Sequence, residues 1–389
     1  MRYLTAGESH GPALIAVIEG LPANLSLDLE AINHQLWRRQ QGYGRGYRMK
    51  IESDQVEILT GLRFAKTLGT PLTMRIDNKD FHNWTERMSP TGNPPSDLAI
   101  MTKPRPGHAD LAAALKYDFT DIRNTLERAS ARNTATLVAI GAVARQLLDV
   151  FGIHVYGHIV QIGAIQADQQ KFATLSYQEL ASAAENSPVR CADDEAAKAM
   201  MQAIDHAKEN GDTLGGIFEV MVTGVPIGLG SYALPEDRLD GKIAAALMSI
   251  QAIKGVEIGM GFEAATKPGS QVHDALYYSK EQGYYRSTNG AGGIEGGISN
   301  GEVIVARAAM KPIPTLYKPL PSVDMITKEP YLATIERSDT CAAPAASVIG
   351  ENMVAWVLAV AFMEKFAGDS IDETTRNYSS YQAYLQSRM

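Results

Sequence analysis

Cysteine is scarce in this chain: Cys191 and Cys341 are its two among 389 residues, in no CxxC pair and no zinc spacing. That argues against a secreted disulfide scaffold and suits a reducing cytoplasm. A basic excess is also lacking. Lys and Arg number 36 against 44 Asp and Glu, for a net charge of −8, which argues against a general nucleic-acid or anionic-membrane binder. The most apolar run, residues 353–363, is bracketed by Glu351 and Glu364. A span needs about 20 apolar residues, so this run predicts a buried helix and no membrane association. Glu8, Ser9 and His10 come too early for a secretory leader. There is no HExxH, no other metal-ligand spacing and no repeat. No linker rich in proline, glycine and serine divides the chain; residues 88–106 come nearest and read as an ordered surface loop.

What is present reads as mixed strands and helices. Residues 14–19 form an apolar strand closed by Gly20 and Pro22. Asp28 caps a helix with Leu29, Ile32 and Leu36 at helical spacing, stopping at Gly42. A longer helix over 133–151 carries Leu137, Ile140, Ala144, Leu147 and Leu148 on one stripe. Strands follow at 153–160 and 216–225, with solvated helices at 177–185 and 193–210 between them. A helix over 237–253, a strand over 302–308 and a helix over 345–366 complete the pattern. Without a βαβ rhythm this is an α+β protein rather than a doubly wound sheet.

Three polar clusters stand apart from these elements. Gly7-Glu8-Ser9-His10-Gly11 sets a histidine between residues that let the backbone turn and a ligand approach. Arg105-Pro106-Gly107-His108-Ala109-Asp110 joins a second histidine to an arginine and a carboxylate, and Ser338-Asp339 follows Arg337. Histidine is the side chain suited to proton transfer near neutrality. The remaining histidines, such as His34 and His206, read as surface residues. Residues 38–48 hold Arg38, Arg39, Arg45 and Arg48 among three glycines, a flexible cationic loop. Guanidinium forks meet carboxylate or phosphate with paired hydrogen bonds, so a small polyanion is one partner. An Arg-Gly RNA-binding segment is the alternative, and the acidic net charge counts against it. Residues 290–297 are glycine-rich but lack a Walker lysine, and Glu295 stands where a dinucleotide fingerprint needs glycine. Their amides remain available to a phosphate or a flat ring. Pro312 and Pro314 make an extended strut holding Lys311 and Thr315, or a plain strand exit.

The opening cluster, residues 127–134 (Glu-Arg-Ala-Ser-Ala-Arg-Asn-Thr), Arg337-Ser338-Asp339, the arginine loop, the His108 segment and Met310-Lys311-Pro312-Ile313-Pro314-Thr315 together resemble the chorismate synthase family. The likeness runs from Met1 to about Phe366. One departure is Thr340, where many members carry proline.

The resemblance implies a lyase converting 5-enolpyruvylshikimate 3-phosphate to chorismate and phosphate, the last step of the shikimate pathway toward aromatic amino acids. It is a 1,4-elimination needing reduced FMN without net redox change. It also implies a β-α-β sandwich, helices between antiparallel sheets, in a single domain over 1–389 that assembles as a homotetramer. Residue by residue, His10 would protonate the departing phosphate, His108 would manage the flavin N1, and Asp339 would take a proton from flavin N5. Ser9, Arg39, Arg45, Arg48, Arg132 and Arg337 would bind substrate. Ser130, Ala131, Arg132, Gln251, Ala252, Gly296, residues Lys311, Pro312, Ile313, Pro314 and Thr315, and Arg337 would contact flavin. No metal is implied. Some members reduce flavin themselves with NAD(P)H; no second nucleotide motif is seen here, so an external reductant is expected. A phospho-ligand lyase or kinase without flavin remains the other enzymatic reading.

Overall fold

The computed structural model describes residues 1–46, 53–333, 335 and 338–388. Alternating apolar residues build the first sheet from β1 (Arg2–Ala6), β2 (Ala13–Glu19), β3 (Val56–Thr60) and β4 (Leu72–Asp77), in antiparallel order β1-β2-β4-β3. Leu14, Ala16 and Ile18 of β2 lie opposite Ile76, Met74 and Leu72 of β4, and all six are buried. With period-2 alternation, one register places every apolar side chain on one face.

A second antiparallel sheet contains β5 (His154–Ile162), β6 (Ile165–Gln166), β7 (Gly216–Thr223), β8 (Ile253–Ile258) and β9 (Ile304–Met310), in the order β8-β9-β7-β5-β6. Helices α1 (Leu29–Gln40) and α4 (Thr134–Asp149) pack on the first sheet. Helix α8 (Ala343–Phe366) lies against α1, α4, β5 and β7, between the sheets. The β-α-β sandwich is therefore present, around one continuous apolar core.

Two glycines allow this layer to close. A Cβ on Gly141 would sit 2.3 Å from Asn352, and one on Gly350 would sit 2.3 Å from the Phe218 ring. The α8 sequence is apolar all round, as a helix covered on every side must be. It matches the helix expected over 345–366 and could cross a bilayer by length and composition, yet 94% of its most apolar window is buried inside the protein.

The first long helix, the two central strands, the solvated helices α5 (Tyr177–Asn186) and α6 (Asp194–Glu209), and the irregular 88–106 segment match their sequence patterns. The helix expected over 237–253 does not run its length. Helix α7 spans Leu239–Met248, and the chain then turns through Ala252 at φ 67° into β8. The helix is capped at Ser249, and the turn through Ala252 presents Gln251 and Ala252 to the cavity described below. Helices α2 (Asp110–Tyr117), α3 (Arg123–Ala129) and α9 (Ile371–Arg388) were not anticipated. Of the histidines read as surface residues, His34 and His206 are exposed. His158 is not: it is fully buried, and its Nε2 pairs with Glu219 at 3.1 Å.

Candidate active site

A cavity of about 490 Å³ opens beside the helix layer, with Ala342, Ala345, Ala346 and Ile349 at the start of α8 forming an apolar wall. Its polar lining comes from segments far apart in sequence: the β1–β2 turn, the end of α1, residues 105–109, α3 and the turn after it, residues 250–252, the exit of β9, and residues 338–339.

Ser9 and His10 dock on α3. The Ser9 amide donates to the Glu127 carbonyl at 3.0 Å, and the Ser9 and Ser130 hydroxyls are 3.0 Å apart. The Glu127 carboxylate accepts from the His10 amide at 2.7 Å and faces His10 Nδ1 at 2.8 Å. Burial pushes that carboxyl up, but the His10 contacts and Arg123 outweigh it and hold it below the usual range. The Trp84 ring lies 4.2 Å from the His10 ring, centroid to centroid.

His108 is held differently. Arg105 donates from its amide and Nε to Asp110 Oδ2, both at 3.0 Å, and from Nη1 to Thr315 Oγ1 at 3.0 Å. His108 Nδ1 makes a short hydrogen bond to Asp110 Oδ1. Burial raises the Asp110 carboxyl, and His108 and Arg105 together drive it far below its ordinary value. Asp339 pairs with Arg45 at 2.7 Å and accepts from the Gly46 amide at 2.6 Å. The Thr340 amide donates to the Gly44 carbonyl at 2.8 Å, a bond that a proline at this position could not make.

Arg39 and Arg132 converge on Asp54, which is fully buried as a side chain. Arg39 Nη2 reaches it at 2.7 Å, and Arg132 also donates to Asn78 at 2.8 Å. Burial raises the Asp54 carboxyl, and the two guanidinium groups override it and keep it ionised. Among the described residues, Nε of Arg39 and Oε1 of Gln251 are buried at this cavity with no hydrogen-bond partner. Lys311 is held low, first by burial and then by Lys254.

The structure thus brings together Ser9, His10, Arg39, Arg45, His108, Ser130, Ala131, Arg132, Gln251, Ala252, Lys311, Ile313, Pro314, Thr315 and Asp339 around one cavity. Pro312 does not line it. Gly296 sits on an exposed hairpin turn, also away from it. The first four amides of the glycine-rich run are taken within the fold rather than offered to a ring or phosphate. Asp274 takes the Gly290 and Ala291 amides at 2.7 and 2.9 Å, and Asn289 takes those of Gly292 and Gly293. Arg48 and Arg337 lie outside the described residues. Arg38 was grouped with the cationic loop, but it belongs to α1 and turns away to Glu351 and Glu185.

Arg105, Arg123, Thr134 and Ser338 also line the cavity and were not anticipated as site residues. Arg105 carried a signal, standing three residues before His108. Asp54, behind two of the arginines, carried none.

Over residues 1–363 the chain matches the family model described as chorismate synthase. It is 55% identical over 386 residues to the chorismate synthase of Desulforamulus reducens, with 99% of each chain covered. It is 57% identical over 380 residues to that of Alkaliphilus metalliredigens, with 98% of this chain and 99% of the relative covered. A solved crystal structure of chorismate synthase superposes with a TM-score of 0.81 at 44% identity, covering 99% of this chain and 98% of that one. Sequence, fold and site agree: the chain belongs to the chorismate synthase family, carbon–oxygen lyases that release phosphate from 5-enolpyruvylshikimate 3-phosphate to form chorismate.

Proposed function

We propose that the cavity beside α8 is where this chain carries out that elimination, with reduced FMN as cofactor. The observation that carries the reading is the convergence of Arg39, Arg45, Arg105, Arg123 and Arg132 with His10, His108 and Asp339 on one cavity of about 490 Å³. A substrate with two carboxylates and a phosphate needs cationic walls, and guanidinium groups supply them in bidentate form.

The residues fit a flavin. The unpartnered Gln251 Oε1 awaits an N–H donor, and the apolar start of α8 suits a flat ring. Ser130, Ala131, Arg132, Gln251, Ala252 and Lys311, Ile313, Pro314 and Thr315 would hold it. When bound, reduced flavin supplies the electron density that expulsion of phosphate from an unactivated carbon framework requires. Arg39, Arg45 and Arg132 bind and orient the trianion. His10 hands a proton from Nε2 to the leaving phosphate oxygen. His108, fixed by Asp110 at Nδ1 and with Arg105 Nη2 3.3 Å from its Nε2, lines the cavity beside these cations. Asp339, kept in place by Arg45 and the Gly46 amide, is the proton acceptor. Gly296 and Pro312 do not line this cavity, and Arg48 and Arg337 lie outside the described residues.

We read the whole chain as one domain, in line with its single core, working in the cytoplasm as a homotetramer supplied by an external flavin reductant. Strongly exposed apolar side chains such as Leu4, Phe262 and Tyr232 are available to subunit contacts. The test is an anaerobic assay of phosphate release with reduced FMN, with oxidised FMN and without flavin. Turnover only with reduced FMN, with no flavin consumed, is expected; full-rate turnover with oxidised FMN would overturn the cofactor assignment.

A further inference from the structure

We propose that Glu127 is the positioning residue for His10, fixing its ring through Nδ1–H so that Nε2 is the nitrogen directed at the cavity. The inference rests on the reading of His10 as proton donor given above.

One carboxylate grips His10 twice. Oε2 accepts from the backbone amide at 2.7 Å, and Oε1 lies 2.8 Å from Nδ1. The Glu127 side chain is 3% exposed, so water does not compete for these contacts. Its own helix is tied to the same turn by the bond from the Ser9 amide to the Glu127 carbonyl. Turning the imidazole by half a revolution would place Cδ2 against Oε1 and break the contact. The Trp84 face at 4.2 Å limits other tilts. Among the described residues Nε2 has no partner, and His10 lines the cavity. Arg123 is also near Oε1, at 3.7 Å, too far for a hydrogen bond in place of Nδ1.

A carboxylate acceptor on one ring nitrogen selects the tautomer and the orientation of the ring. Neutral imidazole free in water favours the Nε2–H form. Glu127 imposes the other, in which Nδ1 carries the proton and Nε2 is ready to take one up and deliver it.

The test uses the full chain labelled with 15N-histidine, the His10 signals being identified by their absence in His10→Ala. In the wild type the neutral His10 ring is expected as the Nδ1–H tautomer. Glu127→Ala should revert it to Nε2–H and lower kcat by ~10–100-fold, less than the ~10²–10⁴-fold a proton-transfer group supplies, with KM changed less than threefold. Glu127→Gln has one acceptor oxygen for the two His10 donors, so it should hold the Nδ1–H tautomer only in part and give a kcat between those of the wild type and Glu127→Ala. Should Glu127→Ala not fold, Glu127→Asp replaces it, since its shorter arm does not reach Nδ1. An Nε2–H ring in the wild type, or the same tautomer and rate in the Ala and Gln variants, would overturn the proposal. Full activity in His10→Ala would instead overturn the proton-donor reading and leave the tautomer result standing.

Discussion

Arg38 and Arg39 are neighbours in the last turn of α1 and reach different partners from different faces of it. Arg38 reaches Glu351 in the middle of α8 with two hydrogen bonds, at 2.7 and 2.9 Å. Arg39 reaches Asp54 at 2.7 Å and lines the active cavity. Successive positions on a helix are about 100° apart, so locking Arg38 into the interior determines where Arg39 faces.

Glu351 is the centre of that interior lock. Fully buried, it also accepts from Arg190 at 2.7 Å and Arg145 at 3.1 Å. Its removal would leave three guanidinium groups with Glu185 as their remaining carboxylate in the group. Breaking a buried ion pair by deleting one partner costs about 3–5 kcal/mol. Glu351→Ala is expected to lose that much in urea unfolding, with the slope unchanged. A loss under about 1 kcal/mol, the scale of an exposed pair, would show the network to be of little weight.

Asp54 holds both Arg39 and Arg132, so Asp54→Asn should weaken substrate binding without either arginine being touched. Charge-assisted hydrogen bonds contribute about 1.5–3 kcal/mol. The expected result is a dissociation constant raised roughly 10-fold to 150-fold by isothermal titration. An affinity within twofold of the wild type would mean that the arginines keep their places without it.

Glu185 gives the pH dependence a definite sign. Burial raises its carboxyl, but Arg38 and Arg190 bring it from its ordinary 4.5 to about 2. A group with a lowered folded value contributes stability above its unfolded value, and that contribution fades as pH falls through the folded one. The urea midpoint should therefore drop between about pH 4.5 and pH 2. In Glu185→Gln the drop over that window should be smaller. Its side chain is 39% exposed, so solvent screens the effect. An equal drop in both proteins would assign it to other carboxylates.

Elements whose burial is periodic in sequence, such as β2, α1 and α4, were legible, and α8 was legible as a continuous apolar run. Helix α3 was not, because Arg123–Ala129 is short and polar and is held by Glu127, Arg128 and Asn133 contacts that only the fold creates. His10 and His108 were visible as candidates through their loop-forming neighbours. Their supports divide by distance along the chain. Asp110 stands two residues from His108, whereas Glu127 is 117 residues from His10. The direction of Arg38 was misread for a related reason: a run of arginines shows its charge, and which side each takes depends on the helix phase and on a glutamate over 300 positions away.

Thr340 offers a last test, at the position where the chain departs from many relatives. Its amide donates to the Gly44 carbonyl at 2.8 Å, while its own carbonyl accepts from the Leu214 amide at 2.9 Å. Proline would keep the second bond and abolish the first. On stability two effects oppose: a lost hydrogen bond costs about 0.5–1.5 kcal/mol, and a compatible proline returns about 0.4–1 kcal/mol by restricting the unfolded chain. Thr340→Pro should therefore leave the urea midpoint nearly unchanged. The site has no such offset, because Gly44 adjoins Arg45, whose partner Asp339 precedes position 340. Loosening that tie by 0.5–1.5 kcal/mol corresponds to a KM about 2-fold to 10-fold higher. A fall in stability above 2 kcal/mol with KM unchanged would place the bond's weight in the fold instead of in the Arg45–Asp339 geometry.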